Sequence, residues 1–477
     1  MTADNCSALP PPLLGRDALL AAGRTPPLPC RISLDDGSLL ILLRTLRVLP
    51  GQRLVAEARW EDRPVLAKLY LDGDAARHAT REAAGQGKLA AAGLPTPALL
   101  ARRQSTDGMA ILLTTWLDGA MTLAQERPSA RPLQALDDVL ELIGRLHAAG
   151  LIHSDLHPGN LLQHDGRWYL IDGDAISDAT TLNARTDNLA LFLAQFTGPD
   201  APSAADALPA YRRGLGAGLA APEAPALASR VERTLATRLQ RYMEKTGRDC
   251  TRFVAQQSLS RRTLISRTEA NWLAPLLTDP DHWLEQGKRL KSGRSATVAR
   301  VASGGHDCVI KRYNLKNLAH AARRALRPTR AWHAWREAHR LTFLGIPTPA
   351  ALAVVENRFG PLRGRAWLVT AWCEGPSLRE LFARREDQTP NTDEARALTE
   401  LFAALHRHRV THGDLKASNL LWCDGRFHLI DLDATVQHHS NNAYRKAWAR
   451  DRARLLANWP AGSRIAQWFD THLPAAN

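Results

Sequence analysis

Cysteine is scarce and scattered: Cys6, Cys30, Cys250, Cys308, Cys373 and Cys423 are the six in the chain, and no two form a CxxC pair. That spacing argues against a zinc motif and against a disulfide framework, and it fits a reducing cytoplasm. Long apolar runs are missing as well. No segment approaches the roughly 18 uninterrupted apolar residues of a membrane-spanning helix. The densest run, LLILL at Leu39–Leu43, is strand-sized. The opening MTADNCSALPPPLLG lacks a basic stretch followed by an apolar one, so no secretion signal is expected. Acidic residues are outnumbered, 48 Asp and Glu against 62 Lys and Arg, for a formal net charge of +14. Such an excess favours an anionic partner: nucleic acid, a phosphorylated ligand or an anionic membrane face. Nucleic acid fits least, because the chain has no helix-turn-helix, zinc-finger or RNP signature. What remains is ordinary globular sequence, 45% apolar and 23% charged, and 477 residues suit two or three domains.

What is present is a repetition. LIHSDLHPGNLLQHDGRWYLIDGDA (Leu151–Ala175) returns as VTHGDLKASNLLWCDGRFHLIDLDA (Val410–Ala434). Extended upstream, Arg145–Ala175 aligns with Ala404–Ala434 without a gap, and 16 of the 31 positions are identical. The surroundings repeat in the same order. RLVAEARW (Arg53–Trp60) and PVLAKLYL (Pro64–Leu71) read as two strands, followed by a helix over Ala76–Gly93, the turn LPTP and a strand at Met109–Leu117. In the second half, ATVARVA (Ala296–Ala302) and CVIKRYN (Cys308–Asn314) are strands. A long helix ends at Gly345, IPTP follows, and AWLVTAW (Ala366–Trp372) is the last strand. Units of this size are complete domains rather than solenoid repeats. The expected division is a flexible lead-in over 1–30, one domain over 31–250, a helical linker over 251–285 and a second domain over 286–477.

Each copy carries an H-x-D-L-x-x-x-N loop, an Asp at the end of an apolar strand twelve residues after the Asn, a lysine inside an upstream strand, and a Glu on the helix between. Phosphoryl transfer needs these parts: a cation for the nucleotide phosphates, a carboxylate to hold that cation, an Asp to orient the acceptor hydroxyl and take its proton, and oxygen ligands for magnesium. The set resembles the protein-kinase-like fold. HSDLHPGN…LIDGD and HGDLKASN…LIDLD look most like its bacterial branch of lipopolysaccharide core kinases, the Kdo and heptose kinases. VIKRYN and RRALRPTRAWHAWREAHRLTFLGIPTP (Arg323–Pro349) are similar to that branch too. The resemblance implies an α+β chain of two tandem bilobal protein-kinase-like domains, each with a small β-rich N-lobe and a helical C-lobe, using ATP and Mg2+. It implies that Lys68 and Lys311 meet phosphate, with Glu82 and Glu337 as their helix partners. Asp155 and Asp414 become catalytic, and Asn160, Asp172, Asn419 and Asp431 become metal ligands. A lipopolysaccharide core or lipid A precursor is the implied acceptor, met at the cytoplasmic face of the inner membrane. Rival readings are a serine/threonine or small-molecule kinase, and a scaffold in which one or both halves bind nucleotide without turnover.

The departures from the kinase pattern are informative. Neither half has a full G-x-G-x-x-G loop, and only Gly51 and Gly293 stand between the presumed first strands. Ser154 and Gly413 replace the Arg with which protein kinases read a phosphorylated activation loop, and no A-P-E follows, which points to an unregulated kinase of small molecules or glycans. Asp187 and Asp451 could brace the loop or simply cap helices. From Lys311 to Arg340 there are nine Lys or Arg against one acid, with Trp332 and Trp335 among them. That segment is expected to be a patch for anionic lipid A or core phosphates.

Overall fold

The computed structural model describes residues 10–125, 132–293, 295–314, 327–383, 385 and 388–475. The chain divides into two compact units, Met1–Phe196 with Pro202–Leu235, and Thr197–Ala201 with Ala236–Asn477.

In the first unit, strands β1 (Cys30–Ser33), β2 (Leu39–Leu49), β3 (Arg53–Trp60), β4 (Arg63–Tyr70), β5 (Leu99–Gln104) and β6 (Ala110–Thr115) form an antiparallel sheet in the order β1-β2-β3-β4-β6-β5. Alternation builds it: Val65, Ala67 and Leu69 of β4 are fully buried in one core with Leu54, Ala56 and Ala58 of β3. Lys68 therefore points to the opposite face, flanked by Val55 on β3 and Leu112 on β6. Helix α2 (Ala75–Ala91) buries Ala75, Ala79, Glu82, Gly85, Gln86 and Leu89, a stripe at helical spacing in which every second residue on average is Ala or Gly. A second core follows, where helix α3 (Pro132–Ala148) packs with later helices around Ile143, Leu146, Phe192 and Tyr211.

The lead-in expected to be flexible is structured from residue 10 onward. Helix α1 (Arg16–Ala22) buries Leu19 against the sheet core, and backbone hydrogen bonds tie Pro12 and Leu14 to Arg31. A two-turn helix is too short to display a period in sequence.

The second unit holds a seven-stranded antiparallel sheet, ordered Phe253–Gln257, Arg261–Ser266, Ala351–Phe359, Leu362–Ala371, His306–Tyr313, Ala296–Ser303 and Lys288–Ser292. The lysine strand His306–Tyr313 again lies inside the sheet, between Ala296–Ser303 and Leu362–Ala371. The first two strands correct the expected helical linker over 251–285. Arg261–Ser266 pairs with Ala351–Phe359, and the helices Ala270–Thr278 and Pro280–Gln286 put Leu273, Leu276, Leu277 and Leu284 into the sheet's core. The arginines at 261 and 262 hid the strand, whose apolar residues Leu264 and Ile265 come only at its end. After the sheet, the helices Thr392–Arg407, Asn441–Leu456 and Arg464–His472 bury Phe402, Trp448 and Phe469.

Candidate active site

The repeated loop is built the same way in both units, around a buried histidine. His153 Nε2 donates to the Ile171 carbonyl at 2.9 Å, and the Asp155 backbone N–H donates to His153 Nδ1 at 3.3 Å. His412 does the same with Ile430 (2.8 Å) and Asp414 (3.3 Å). One ring nitrogen must donate and the other accept, so each imidazole is neutral and of fixed tautomer. Burial accordingly pushes the His153 pKa down. Each histidine joins the loop that carries the first Asp to the strand end that carries the second. The asparagines lock the same loops, Asn160 Nδ2 donating to the Asp155 carbonyl and Asn419 Nδ2 to the Asp414 carbonyl, both at 2.9 Å. That leaves each Asn side-chain oxygen as an acceptor beside a carboxylate on the following strand end. Hard oxygen donors of this kind suit Mg2+, so Asn160 with Asp172, and Asn419 with Asp431, can hold that ion. Asp172 (φ 69°) and Asp431 (φ 63°) both adopt the left-handed conformation, which non-glycine residues take only under constraint.

A polar side chain under each loop braces it. In the second unit Asp451, 2% exposed, accepts from the backbone N–H groups of His412 (2.6 Å) and Gly413 (3.0 Å). In the first unit Asp187 does not; it pairs with Arg230, and its neighbour Asn188 bonds the His153 carbonyl at 2.7 Å instead.

Lys68 in the first unit is held by the helix. Its Nζ lies 2.5 Å from Glu82 Oε1 and 3.5 Å from Asp172 Oδ1. Glu82 is fully buried and also accepts from the backbone N–H groups of Gly173 (3.0 Å) and Asp174 (3.2 Å). Two glycines allow this approach. A Cβ on Gly85 would stand 1.8 Å from the Gly173 carbonyl oxygen, and one on Gly173 would stand 2.4 Å from the Glu82 carbonyl oxygen. Burial pulls the Asp172 carboxyl upward, but Lys68 and Arg53 outweigh it and hold the group below the usual carboxylate range.

The second unit departs from expectation at its helix. Glu337 does not meet Lys311; it pairs with Arg340, one turn along the same helix, at 2.9 Å. Lys311 is held instead by the strand-end loop, bonded to Asp431 and, at 2.9 Å, to Asp433. Three pairs of contacts show why. His78 stacks on Tyr70 as Arg330 lies over Tyr313. Lys88 bonds Asp178 as Arg340 bonds Gln437. Pro95 accepts from Leu170 as Pro347 does from Leu429. Each equivalent helix or turn position is thus shifted by 252 (330 − 78, 340 − 88, 347 − 95), which puts Ala334 in the place of Glu82 and Glu337 in that of Gly85. Counting forward from the lysine crosses the basic insert and loses this register. Counting back from the shared PTP turn would have kept it.

Several residues at these sites carried no sequence signal strong enough to single them out. Tyr313 donates to Asp433 at 2.6 Å, and Arg53 reaches within 3.8 Å of Asp172. Beside the first Asp of the repeated loop, the first unit has His157, 3.6 Å from Asp155, which holds that carboxyl below its usual range. The second has Lys416, 2.9 Å from Asp414, and Arg454, 3.2 Å away. In the second unit a cavity of about 410 Å3 runs from apolar walls (Val298, Leu368, Leu421, Ile430) to Lys311, Asn419 and Asp431. That volume suits a small-molecule ligand. Leu290, Lys291, Ser295 and Ala296, on either side of Gly293, line it. Gly51 sits at an open turn with φ 74°.

Most of the basic insert, residues 315–326, lies outside the described residues. Its flanks turn inward. Arg330 donates to the Ser295 carbonyl at 2.8 Å, Trp335 is fully buried, and Trp332 stacks under Arg262. Among the described residues no helix is long and apolar enough to cross a membrane.

A solved structure, WaaP in complex with acyl carrier protein, is similar to this chain at 21% identity with a TM-score of 0.32, over 41% of this chain and 88% of that one. The family model for the lipopolysaccharide kinase (Kdo/WaaP) family matches residues 75–204 and 277–459, and the chain belongs to that family of kinases.

Proposed function

We propose that each unit is a bilobal protein-kinase-like domain that transfers the γ-phosphate of ATP to a sugar hydroxyl, of Kdo or heptose, in the lipopolysaccharide inner core. The observation that carries the reading is the histidine-tied loop pair, present in both units with a lysine on the strand above it. It gathers a proton acceptor, oxygen ligands and a cation, as phosphoryl transfer requires. Asp155 and Asp414 stand in the role of base, with side chains 68% and 39% exposed and thus open to an acceptor. The acceptor O–H gives its proton to the Asp carboxylate as the new O–P bond forms and the bond to the ADP oxygen breaks. Lys68 and Lys311 meet the phosphate charge, and Lys416 adds a second cation beside Asp414. Asn160 with Asp172, and Asn419 with Asp431, would hold Mg2+, which would supply positive charge against the phosphate oxygens.

The test is phosphate transfer from radiolabelled ATP to purified lipid A–core lacking core phosphate. Transfer that depends on Mg2+ and is abolished by Asp155→Asn with Asp414→Asn supports the reading; transfer unchanged in the double variant overturns the residue roles. Label that enters only protein or small amino alcohols overturns the acceptor.

The acceptor lies in a membrane, and the excess of positive charge fits peripheral attachment to the anionic inner face. Each Lys or Arg near an anionic surface contributes about 1 kcal/mol, screened by salt within roughly 8–10 Å. Because Arg330 is committed to Ser295 and Tyr313, the candidates left in this segment are Lys316, Arg323, Arg324 and Arg327. Sedimentation with anionic vesicles should be released by salt and weakened when these four become Ser. Binding insensitive to both removes membrane attachment through this segment.

A further inference from the structure

The second unit holds a side-chain cluster that phosphoryl transfer does not use. The strand Leu420–Cys423 pairs with Arg426–Leu429, with Leu421 opposite His428 and Cys423 opposite Arg426. Cys423 and His428 are therefore diagonal neighbours on one face of the hairpin, while the rings of Trp422 and Phe427 pack at a tilt on the other. The segment after the strand Leu362–Ala371 runs alongside, tied by the Trp422 N–H to the Pro376 carbonyl at 2.9 Å. It brings buried Cys373 to the same face. The two thiol sulfurs and a His428 ring nitrogen all lie within 4.8 Å of one another. Bonds of ~2.3 Å to sulfur and ~2.0 Å to nitrogen at tetrahedral angles place such atoms ~3.5–3.8 Å apart, so a shift of about 1 Å would complete the geometry.

A second observation points the same way. His428 Nδ1 is buried and has no hydrogen-bond partner, although a buried ring nitrogen ordinarily has one. An imidazole with one ring nitrogen left without a protein partner, beside two thiols, is available to ligate a metal. The spacing of the three residues, 50 and then 5 positions apart, matches no sequence motif, which is why the cysteine count alone argued against zinc. The other half of the chain lacks the set. Leu117, His164 and Tyr169 occupy the corresponding positions, two beyond the strand end for the first and offset by 259 (423 − 164, 428 − 169) for the others.

We propose that Cys373, Cys423 and His428 form a site for a soft divalent cation, Zn2+, with a fourth position open to water or to Asp424. Each thiol gives its proton to solvent as its sulfur–metal bond forms. Cys373 also lines the 410 Å3 cavity, so the metal would fasten the segment that walls the nucleotide end of the second unit to the hairpin behind it.

The full-length reduced protein, stripped with chelator, should be titrated with Co2+ and then Zn2+. One equivalent of Co2+ with a thiolate-to-cobalt charge-transfer band, bleached by Zn2+, is expected. Cys373→Ser, Cys423→Ser and His428→Gln should each weaken binding at least tenfold, and Cys250→Ser should not. In the unmodified protein Zn2+ should slow alkylation of Cys423 at least tenfold while leaving Cys250 unchanged, a readout independent of whether the variants fold. Absence of the band, a band that survives all three substitutions, or Cys423 alkylation indifferent to Zn2+ would overturn the site.

Discussion

Lys68 and Lys311 occupy the same place on the same kind of strand, yet they are held from opposite sides. Lys68 is gripped by a glutamate on the helix, which the paired glycines at 85 and 173 let come close. Lys311 has Ala334 in the glutamate's place and is gripped by Asp431 and Asp433 of the strand-end loop. At the corresponding glycine positions stand Glu337 and Leu432, whose side chains forbid a comparable backbone approach. A buried lysine needs a carboxylate partner, but which element supplies it is open to change. In the first unit the partner differs from the carboxylate assigned to metal; in the second one group serves both needs. Phosphate drawing Lys311 away would free Asp431, so cation binding in the second unit should depend on nucleotide more steeply than in the first.

The largest expected effect is common to both units. Asp155→Asn and Asp414→Asn keep shape but lose the proton acceptor, and each should lower transfer by its unit roughly 10²–10⁴-fold while ATP binding persists. A smaller effect separates the units. Glu82→Gln removes one partner of a buried pair, which costs about 3–5 kcal/mol where the remaining charge is left uncompensated, and transfer by the first unit should fall with it. Glu337→Gln should leave transfer by the second unit within a factor of two, because Glu337 serves Arg340. Equal losses in the two variants would erase the distinction.

Gly85→Ala comes next. Its Cβ would sit within the Gly173 carbonyl, so the helix must withdraw, at a cost of about 1–3 kcal/mol, and the Lys68–Glu82 contact should lengthen. Calorimetry together with transfer by the first unit reads both effects; a variant with unchanged stability and activity would mean that the close approach is not required.

Acid should act on both units alike. Burial lowers the pKa of His147 and His339 to about 4, below the unfolded value. The unfolded chain therefore binds protons first, and the stability these groups contribute is complete above about pH 6.5 and is lost as pH falls towards 4, on the order of 3 kcal/mol each. The depressed Asp172 and Asp431 add a further loss near and below the ordinary carboxylate range, as their lysine contacts go. Melting temperature followed from pH 7 to 4 should fall in both units; a flat profile would mean these histidines are not buried neutral.

The repeated loops were legible because their chemistry fixes polar residues at invariant spacings, and the flanking strands because alternation marks them. The register of the second helix was not, since an insertion between Lys311 and the helix broke the count and left Glu337 as the wrong glutamate. Asn188 and Asp451 do the same work from different residue types, so no pattern links them. The strand at Arg261–Ser266 was hidden by its arginines, and the Cys373–Cys423–His428 cluster by distance along the chain.

The central claim is that the chain carries two phosphotransfer sites with differently anchored lysines. Asp172→Asn and Asp431→Asn, made separately, should be assayed for the stoichiometry of Mg2+-dependent ATP binding and for phosphorylated products on lipid A–core. Two sites predict that each variant loses one equivalent of bound nucleotide and one product. If one substitution abolishes all binding and transfer while the other changes neither, a single unit does the chemistry and the two-site account is contradicted.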